Sequence, residues 1–227
     1  AAFNAPLAGV IFALEELHRN FSIMVLLPSM AAAFTATIIS RAIFGRATIF
    51  DIPDLQLLPI SYYGIVILVA LASGLAGVIF NWGLLNIGRF YSLPCFKRPV
   101  QKIAFALICA GILGYFLPEV LGGGNNLINH LAKAPVSLQL LLLFLTGKLI
   151  FTLISYGCGV PGGFFLPMLV IGALCGSICA QILIMLGWIE PAYATNIMVV
   201  AMAALFASSV RAPITGTVLI MEMTASY

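Results

Sequence analysis

The sequence predicts an all-α, polytopic membrane protein with several spans and at least one broken helix. Hydrophobic residues make up 63% of its 227 residues, charged residues only 7%, and the mean hydropathy is +1.16. A water-soluble domain cannot present such a surface. The apolar runs lack the alternation of apolar and polar residues that a transmembrane barrel requires, so the strand alternative is the weaker one.

Uncharged runs give the positions of the spans, because a hydrocarbon core about 30 Å thick needs about 20 helical residues. The runs that can cross or nearly cross a bilayer are 21–40, 55–88, 103–118, 149–189 and 191–210. The run 55–88 has no proline after Pro59 and predicts one long, tilted helix. The run 149–189 holds two prolines and two glycines at 161–167. It therefore predicts two helices that meet inside the membrane.

Positive charges indicate the orientation of the chain. One loop between two predicted spans contains Arg89, Lys97, Arg98 and Lys102. By the positive-inside rule this loop faces the cytoplasm, and the end of the first helix at Arg19 lies on the same side after two crossings. The loop at 122–126 (GGGNN) faces outward. We expect a multi-pass protein of the cell's inner or plasma membrane.

A short segment occurs twice in the sequence. Residues 5–15 (APLAGVIFALE) and 212–222 (APITGTVLIME) share Ala, Pro, Gly and Glu in register, at an offset of 207 (212 minus 5). Chance similarity between two apolar helices is the alternative. Repetition across two halves is a known plan of transporters. In an inverted repeat, Glu15 and Glu222 end on opposite sides of the membrane, and Glu222 is expected to be structural.

The repeat also predicts how the chain is organised. A counterpart of the helix break at Gly163 would lie upstream of residue 1, so the chain is expected to be incomplete, at both ends. We expect one transmembrane domain fragment, with the end of a first repeat in about 1–50 and a truncated second repeat in about 55–227.

The segment 159–167 (GVPGGFFLP) lies in the longest uncharged run. Unpaired backbone groups are costly in lipid, so this segment must be buried or line an aqueous cavity. Pro167 suits the first turn of a helix, which leaves the amides of Phe164 and Phe165 at its positive end. Such an end attracts a small anion that can bind and leave. A plain break that allows close helix packing is the alternative.

Three motifs together resemble the CLC family of chloride channels and chloride/proton antiporters. They are Gly-Gly-Phe-Phe-Leu-Pro at 162–167, Phe-Asn-Ala-Pro-Leu-Ala-Gly at 3–9 with Glu15 and Glu16 after it, and Arg-Ala-Pro-Ile-Thr-Gly at 211–216 before Met-Glu-Met-Thr. Their order and spacing agree along the whole chain. The resemblance implies two inverted halves per subunit, a homodimer with one ion pathway per subunit, and transport of chloride or a related anion.

The resemblance also assigns roles to residues. The backbone amides of Phe164 and Phe165 would bind the central anion, and Gly163 would allow its close approach. Glu16 occupies the place of the internal proton-accepting glutamate of the exchangers, which channels typically replace by an apolar residue, and Glu15 would help the proton to reach solvent. A carboxylate partly withdrawn from water can hold a proton because desolvation penalises its charged form. A solvated helix end is the alternative for this pair.

These residues predict chloride transport coupled to proton antiport, with a passive, voltage-gated type of chloride channel as the alternative. Chloride and protons are then the substrates, the bilayer is the surroundings, and no cofactor or nucleic acid takes part. A membrane-embedded enzyme would need a catalytic set such as HExxH or GxSxG, and the sequence has neither. The five cysteines form no CxxC pair, which argues against a metal site. A purely structural subunit is a further alternative.

Overall fold

The structure is a computed structural model. It describes residues 4–45, 50, 52, 55–96 and 98–224. Lys97 of the predicted basic loop lies outside these ranges. The α-helices in the described ranges are α1 (Pro6–Phe12), α2 (Ile23–Phe44), α3 (Tyr63–Phe90), α4 (Pro99–Phe116), α5 (Asn125–Lys133), α6 (Leu138–Gly157), α7 (Phe165–Met185), α8 (Ala194–Val210) and α9 (Pro213–Thr224). No strand is present in this part of the chain.

Six helical segments in the described ranges are long and apolar enough to cross a membrane. They are Ile23–Phe44, Ile60–Phe90, Pro99–Phe116, Leu138–Gly157, Phe165–Met185 and Pro191–Val210. Each overlaps one of the uncharged runs of the sequence. The predicted all-α, multi-pass membrane architecture is confirmed. The outer helices α2 and α4 bury only Thr37 and Ala106, respectively, and present apolar side chains outward, as lipid-facing helices do.

The predicted break in the run 149–189 is present. Helix α6 ends at Gly157 and α7 begins at Phe165, with non-helical backbone between them. Gly159 has a φ of +85°, a conformation that favours glycine, and it turns the chain away from the axis of α6. Residues 159–163 of the break are exposed, the first residues of α7 are half-buried, and the helix is fully buried from Met168 to Leu174.

Helix α7 lies at the centre of the packing. It contacts α8, α6, α5 and α3, and its residues from Met168 to Leu174 are fully buried. Glycines let the backbone of α8 come close: a Cβ added at Gly176 would lie 2.6 Å from the Cα of Met198. Small residues allow this approach between membrane helices. The packing holds the N-terminus of α7 in a fixed place.

Helix α5 differs from the prediction of a loop at 122–126. Gly122 and Gly124 do form a turn, with φ values of +64° and +87°, but the helix begins at Asn125. Its Leu127 and Ile128 are buried in the core that α7 also enters. Tertiary burial of these two side chains stabilises a helix that the polar sequence does not favour by itself.

The two copies of the repeated segment form α1 and α9, which pack against each other. Glu15, just after α1, lies at the N-terminus of α9, where it binds the amides of Ile214 and Thr215. Glu222, near the end of α9, lies at the N-terminus of α1. The helices are therefore antiparallel with their ends aligned, which is the arrangement that an inverted repeat predicts.

Candidate functional site

The loop before α7 places backbone N–H groups at the positive end of a long helix. Phe164 is the residue that caps α7, and its carbonyl oxygen accepts a hydrogen bond from the N–H of Met168 at 3.0 Å. The N–H of Phe164 has no acceptor among the described residues. Helix α7 begins at Phe165, and Pro167 lies in its first turn. The positive end of the dipole lies at the predicted anion-binding residues.

A hollow of about 210 Å³ opens beside this loop. From the loop it is lined by Gly162, Gly163 and Phe164, and from α6 by side chains that include Lys148 and Tyr156. A Cβ added at Gly163 would meet no atom within 4 Å, so the space next to this backbone is open. Open space at Gly163 is what the predicted close approach of an anion requires, and the approach itself stays a prediction.

A second cavity, of about 320 Å³, also borders Phe164 and Phe165. Its walls are mostly apolar and come from the repeated helices α1 and α9 and from α8, including Phe12, Phe206 and Thr215. The ring of Phe165 packs edge-on against that of Phe206, with centroids 5.4 Å apart. The cavity therefore joins the start of α7 to the helix pair that carries the glutamates.

Glu15 is bound at the N-terminus of α9. Its carboxylate accepts hydrogen bonds from the N–H of Ile214 at 3.1 Å, from the N–H of Thr215 at 2.7 Å and from the hydroxyl of Thr215 at 2.8 Å. Glu15 lies outside the six candidate spans. Burial by itself would raise the pKa of Glu15, but these hydrogen bonds outweigh burial and hold the pKa below its usual value.

Glu16 has different surroundings from its neighbour. It lies in a π-helical turn, Ala13–Leu17, where the N–H of His18 bonds to the carbonyl oxygen of Ala13 at 3.0 Å. Its carboxylate lies 3.6 Å from the guanidinium of Arg19 and its side chain is 28% exposed. Single π-helical turns occur frequently at functional sites. The structure thus leaves Glu16 in contact with solvent, while the Glu15 carboxylate is held by α9.

Glu222 makes the mirror contact. Its carboxylate accepts hydrogen bonds from the N–H groups of Leu7 at 3.1 Å and Ala8 at 2.8 Å, in the first turn of α1. A carboxylate in this position satisfies free N–H groups and interacts favourably with the helix dipole. Glu222 therefore serves as a cap between the two copies of the repeat.

Lys148 is a site residue that the sequence reasoning does not predict. It is 1% exposed, although it lies within the candidate span α6, and its ammonium group donates to the carbonyl oxygens of Val120 and Gly122, each at 2.8 Å. Lys148 is the only charged residue of α6, and an ionisable residue inside a span is a signal of function by itself. In the sequence, Lys148 stands out only as the charged residue immediately before the uncharged run 149–189.

Sequence comparison decides the family. The family model described as voltage gated chloride channel matches residues 1–227, which is the whole chain. The chain belongs to this voltage-gated chloride channel family. The resemblance of the three motifs is confirmed, and it covers both copies of the repeat and the loop before α7.

Relatives of this chain include H(+)/Cl(−) exchange transporters. The protein named ClcA from Salmonella agona (strain SL483) is 36% identical over 238 residues, a match that covers 100% of this chain and 49% of the relative. ClcA from Vibrio vulnificus (strain YJ016) is 35% identical over 236 residues and is covered to 50%. The chain spans about half the length of the curated relatives it matches.

Solved structures of the same type share the fold. A slow cyanobacterial Cl⁻/H⁺ antiporter superposes with a TM-score of 0.89 at 32% identity, covering 100% of this chain and 54% of the antiporter chain. A CLC-type fluoride/proton antiporter gives a TM-score of 0.76 at 25% identity, with 98% and 57% covered. The broken and tilted helices of this chain are therefore those of the CLC fold.

Among the described residues, no group of three or more His, Cys, Asp or Glu side chains is placed to hold a metal ion. The polar groups that the fold does gather are backbone amides, one buried lysine and glutamates at helix ends.

Proposed function

We propose that the complete protein containing this chain exchanges chloride for protons across the membrane. The observation that carries this proposal is the cavity of about 320 Å³ that Phe164 and Phe165 share with the repeated helices α1 and α9. It connects the predicted anion loop to the helix that leads directly to Glu16. The names of the relatives, exchange transporters and antiporters, support coupled exchange over a passive channel.

Chloride is the proposed substrate of the loop before α7, held by the backbone amides of Gly163, Phe164 and Phe165. The positive end of α7 and the unpaired N–H of Phe164 attract an anion, and the open space at Gly163 admits it. Peptide dipoles bind a halide without a side chain in direct contact, so the ion is able to leave again. No cofactor is required for this step.

Glu16 is the proposed inner proton acceptor. Its partly exposed carboxylate is able to exchange protons with the aqueous phase, and its position in the π-helical turn after α1 connects it to the wall of the shared cavity. Glu15 precedes it and organises the same turn through its bonds to α9. We propose that Glu15 assists proton access by fixing this end of α1.

The proposed assembly is a homodimer in a lipid bilayer with one pathway per subunit. The outward apolar faces of α2 and α4 leave ample surface for lipid and for a second subunit. Catalysis of a chemical reaction is not part of this proposal, because the activity requires only binding and release of ions.

The test uses the complete protein reconstituted in liposomes. An imposed chloride gradient is expected to drive protons uphill, and Glu16→Ala is expected to abolish proton movement while chloride flux continues. Glu119→Ala, at an exposed carboxylate near the start of α5, is the matched control and leaves both fluxes unchanged. Chloride flux without any uphill proton movement in the natural protein would instead establish a passive channel.

A further inference from the structure

Lys148 is a buried charge for which the described part of the chain supplies no counter-charge. Its side chain is 1% exposed, and it has no ion pair with a carboxylate in the described part of the chain. The two carbonyl oxygens that it contacts are neutral dipoles. An ammonium group has three N–H donors, so these contacts leave one donor and the full positive charge without a counter-charge.

Burial of such a charge is expensive unless an anion accompanies it. Moving an ammonium group from water into a low-dielectric interior costs several kcal/mol even after relaxation. A side chain needed only to hold the carbonyl groups of Val120 and Gly122 could be a neutral donor, which avoids most of that cost. The positive charge therefore points to an anionic partner other than a side chain of the described residues.

The geometry identifies where that partner lies. Lys148 lines the same hollow of about 210 Å³ as Gly163 and Phe164. The turn that Lys148 binds also packs against the start of α7: a Cβ at Gly123 would lie 3.2 Å from Cδ1 of Leu166. The ammonium group is thus held between α6 and this turn, and Lys148 borders the hollow that faces the anion loop.

We propose that Lys148 is the fixed positive charge of the anion pathway and that it sets the affinity for a small monovalent anion held at Gly163 and Phe164. The backbone amides determine where the ion sits, and the ammonium group, acting through the hollow, determines how strongly the site attracts it. This inference rests on the proposed anion transport. The hydrogen bonds from Lys148 to the carbonyl oxygens of Val120 and Gly122 hold its ammonium group away from direct contact with the anion.

The experiment measures chloride binding to the complete, purified protein in detergent by isothermal titration calorimetry. Lys148→Gln keeps an N–H donor for the turn but removes the charge, and its dissociation constant for chloride is expected to rise about tenfold or more. Lys148→Arg keeps the charge and is expected to stay within about threefold of the natural protein. Lys102→Gln, on the first turns of α4, is the matched control and leaves binding unchanged.

The outcomes separate this inference from the proposed function. If the natural protein binds and transports chloride while a folded Lys148→Gln variant binds it equally well, the role of Lys148 is refuted and the transport function stands. If the natural protein neither binds nor transports chloride, the transport function itself fails. A folded Lys148→Arg variant that loses chloride binding also overturns the inference, even where the Gln variant does not fold, because the charge is still present.

Discussion

The carboxylate of Glu15 accepts hydrogen bonds from both the backbone N–H and the hydroxyl of Thr215, at 2.7 and 2.8 Å, although the two residues are 200 positions apart. Glu222 makes the equivalent contact with Ala8 at the other end of the same helix pair. Each copy of the repeat therefore supplies the anionic cap for the other. Caps and helix-dipole contacts of this kind each contribute about 0.5–2 kcal/mol.

Thr215→Val is expected to weaken the cap on α9. The substitution keeps the backbone N–H but removes one of the three hydrogen bonds to Glu15, which should lower the free energy of unfolding by about 1 kcal/mol. The measurement is the midpoint of thermal unfolding of the complete protein in detergent. Thr217→Val is the control, because the exposed Thr217 hydroxyl bonds only within its own helix, to the carbonyl oxygen of Pro213. If both variants lost the same amount of stability, the bond from the Thr215 hydroxyl to Glu15 would not contribute to the cap.

Glu222→Ala is expected to weaken the reciprocal cap on α1. It leaves the N–H groups of Leu7 and Ala8 without their acceptor and removes a negative charge from the helix N-terminus, a loss of about 1–2 kcal/mol. Glu222→Gln retains an acceptor oxygen and should lose less. Thermal unfolding of the two variants measures which of them loses more stability. If the Gln variant is as unstable as the Ala variant, hydrogen bonding to α1 is not what Glu222 contributes.

The sequence predicts those features of the fold that depend on local composition. Uncharged runs locate the spans because lipid requires apolar side chains at every depth, and the prolines and glycines at 161–167 locate the break before α7. The repeat predicts that α1 and α9 correspond, and hence that Glu222 matches Glu15. It does not reveal that each glutamate binds the other helix, because those contacts join residues 199 to 215 positions apart.

Two elements of the candidate site depend on tertiary contacts and escape the sequence reasoning. Helix α5 has a polar start and only nine residues, and burial of Leu127 and Ile128 in the core stabilises it. Lys148 interrupts an apolar stretch in the sequence, where it reads as the boundary of a span. Only the fold shows that its ammonium group is enclosed and reaches the turn at Gly122.

Gly176→Ala is expected to separate α7 from α8. The added methyl group would lie 2.6 Å from the Cα of Met198, so the two backbones must move apart at a cost of about 1–3 kcal/mol. Gly74→Ala, in α3, is the control because a Cβ there meets nothing within 4 Å, and alanine should stabilise that helix by up to about 1 kcal/mol. Chloride transport should fall with the first substitution and not the second. A Gly176→Ala protein as stable as the control would show that close packing is not needed.

Acid is expected to weaken the contact between Glu15 and α9. Hydrogen bonds from Thr215 and Ile214 outweigh burial and keep the pKa of Glu15 below its usual value in the folded protein. A depressed pKa means that the ionised carboxylate stabilises the fold above its unfolded pKa of about 4.3, and that this contribution disappears as pH falls through the folded pKa.

Glu15→Gln should therefore unfold at a lower temperature than the natural protein at pH 7, and the difference between the two unfolding temperatures should narrow below about pH 4. Thermal unfolding of both proteins across this range is the measurement, with Glu119→Gln as the control. A gap that stays constant down to about pH 3 would show that the charge of Glu15 does not hold the two helices together.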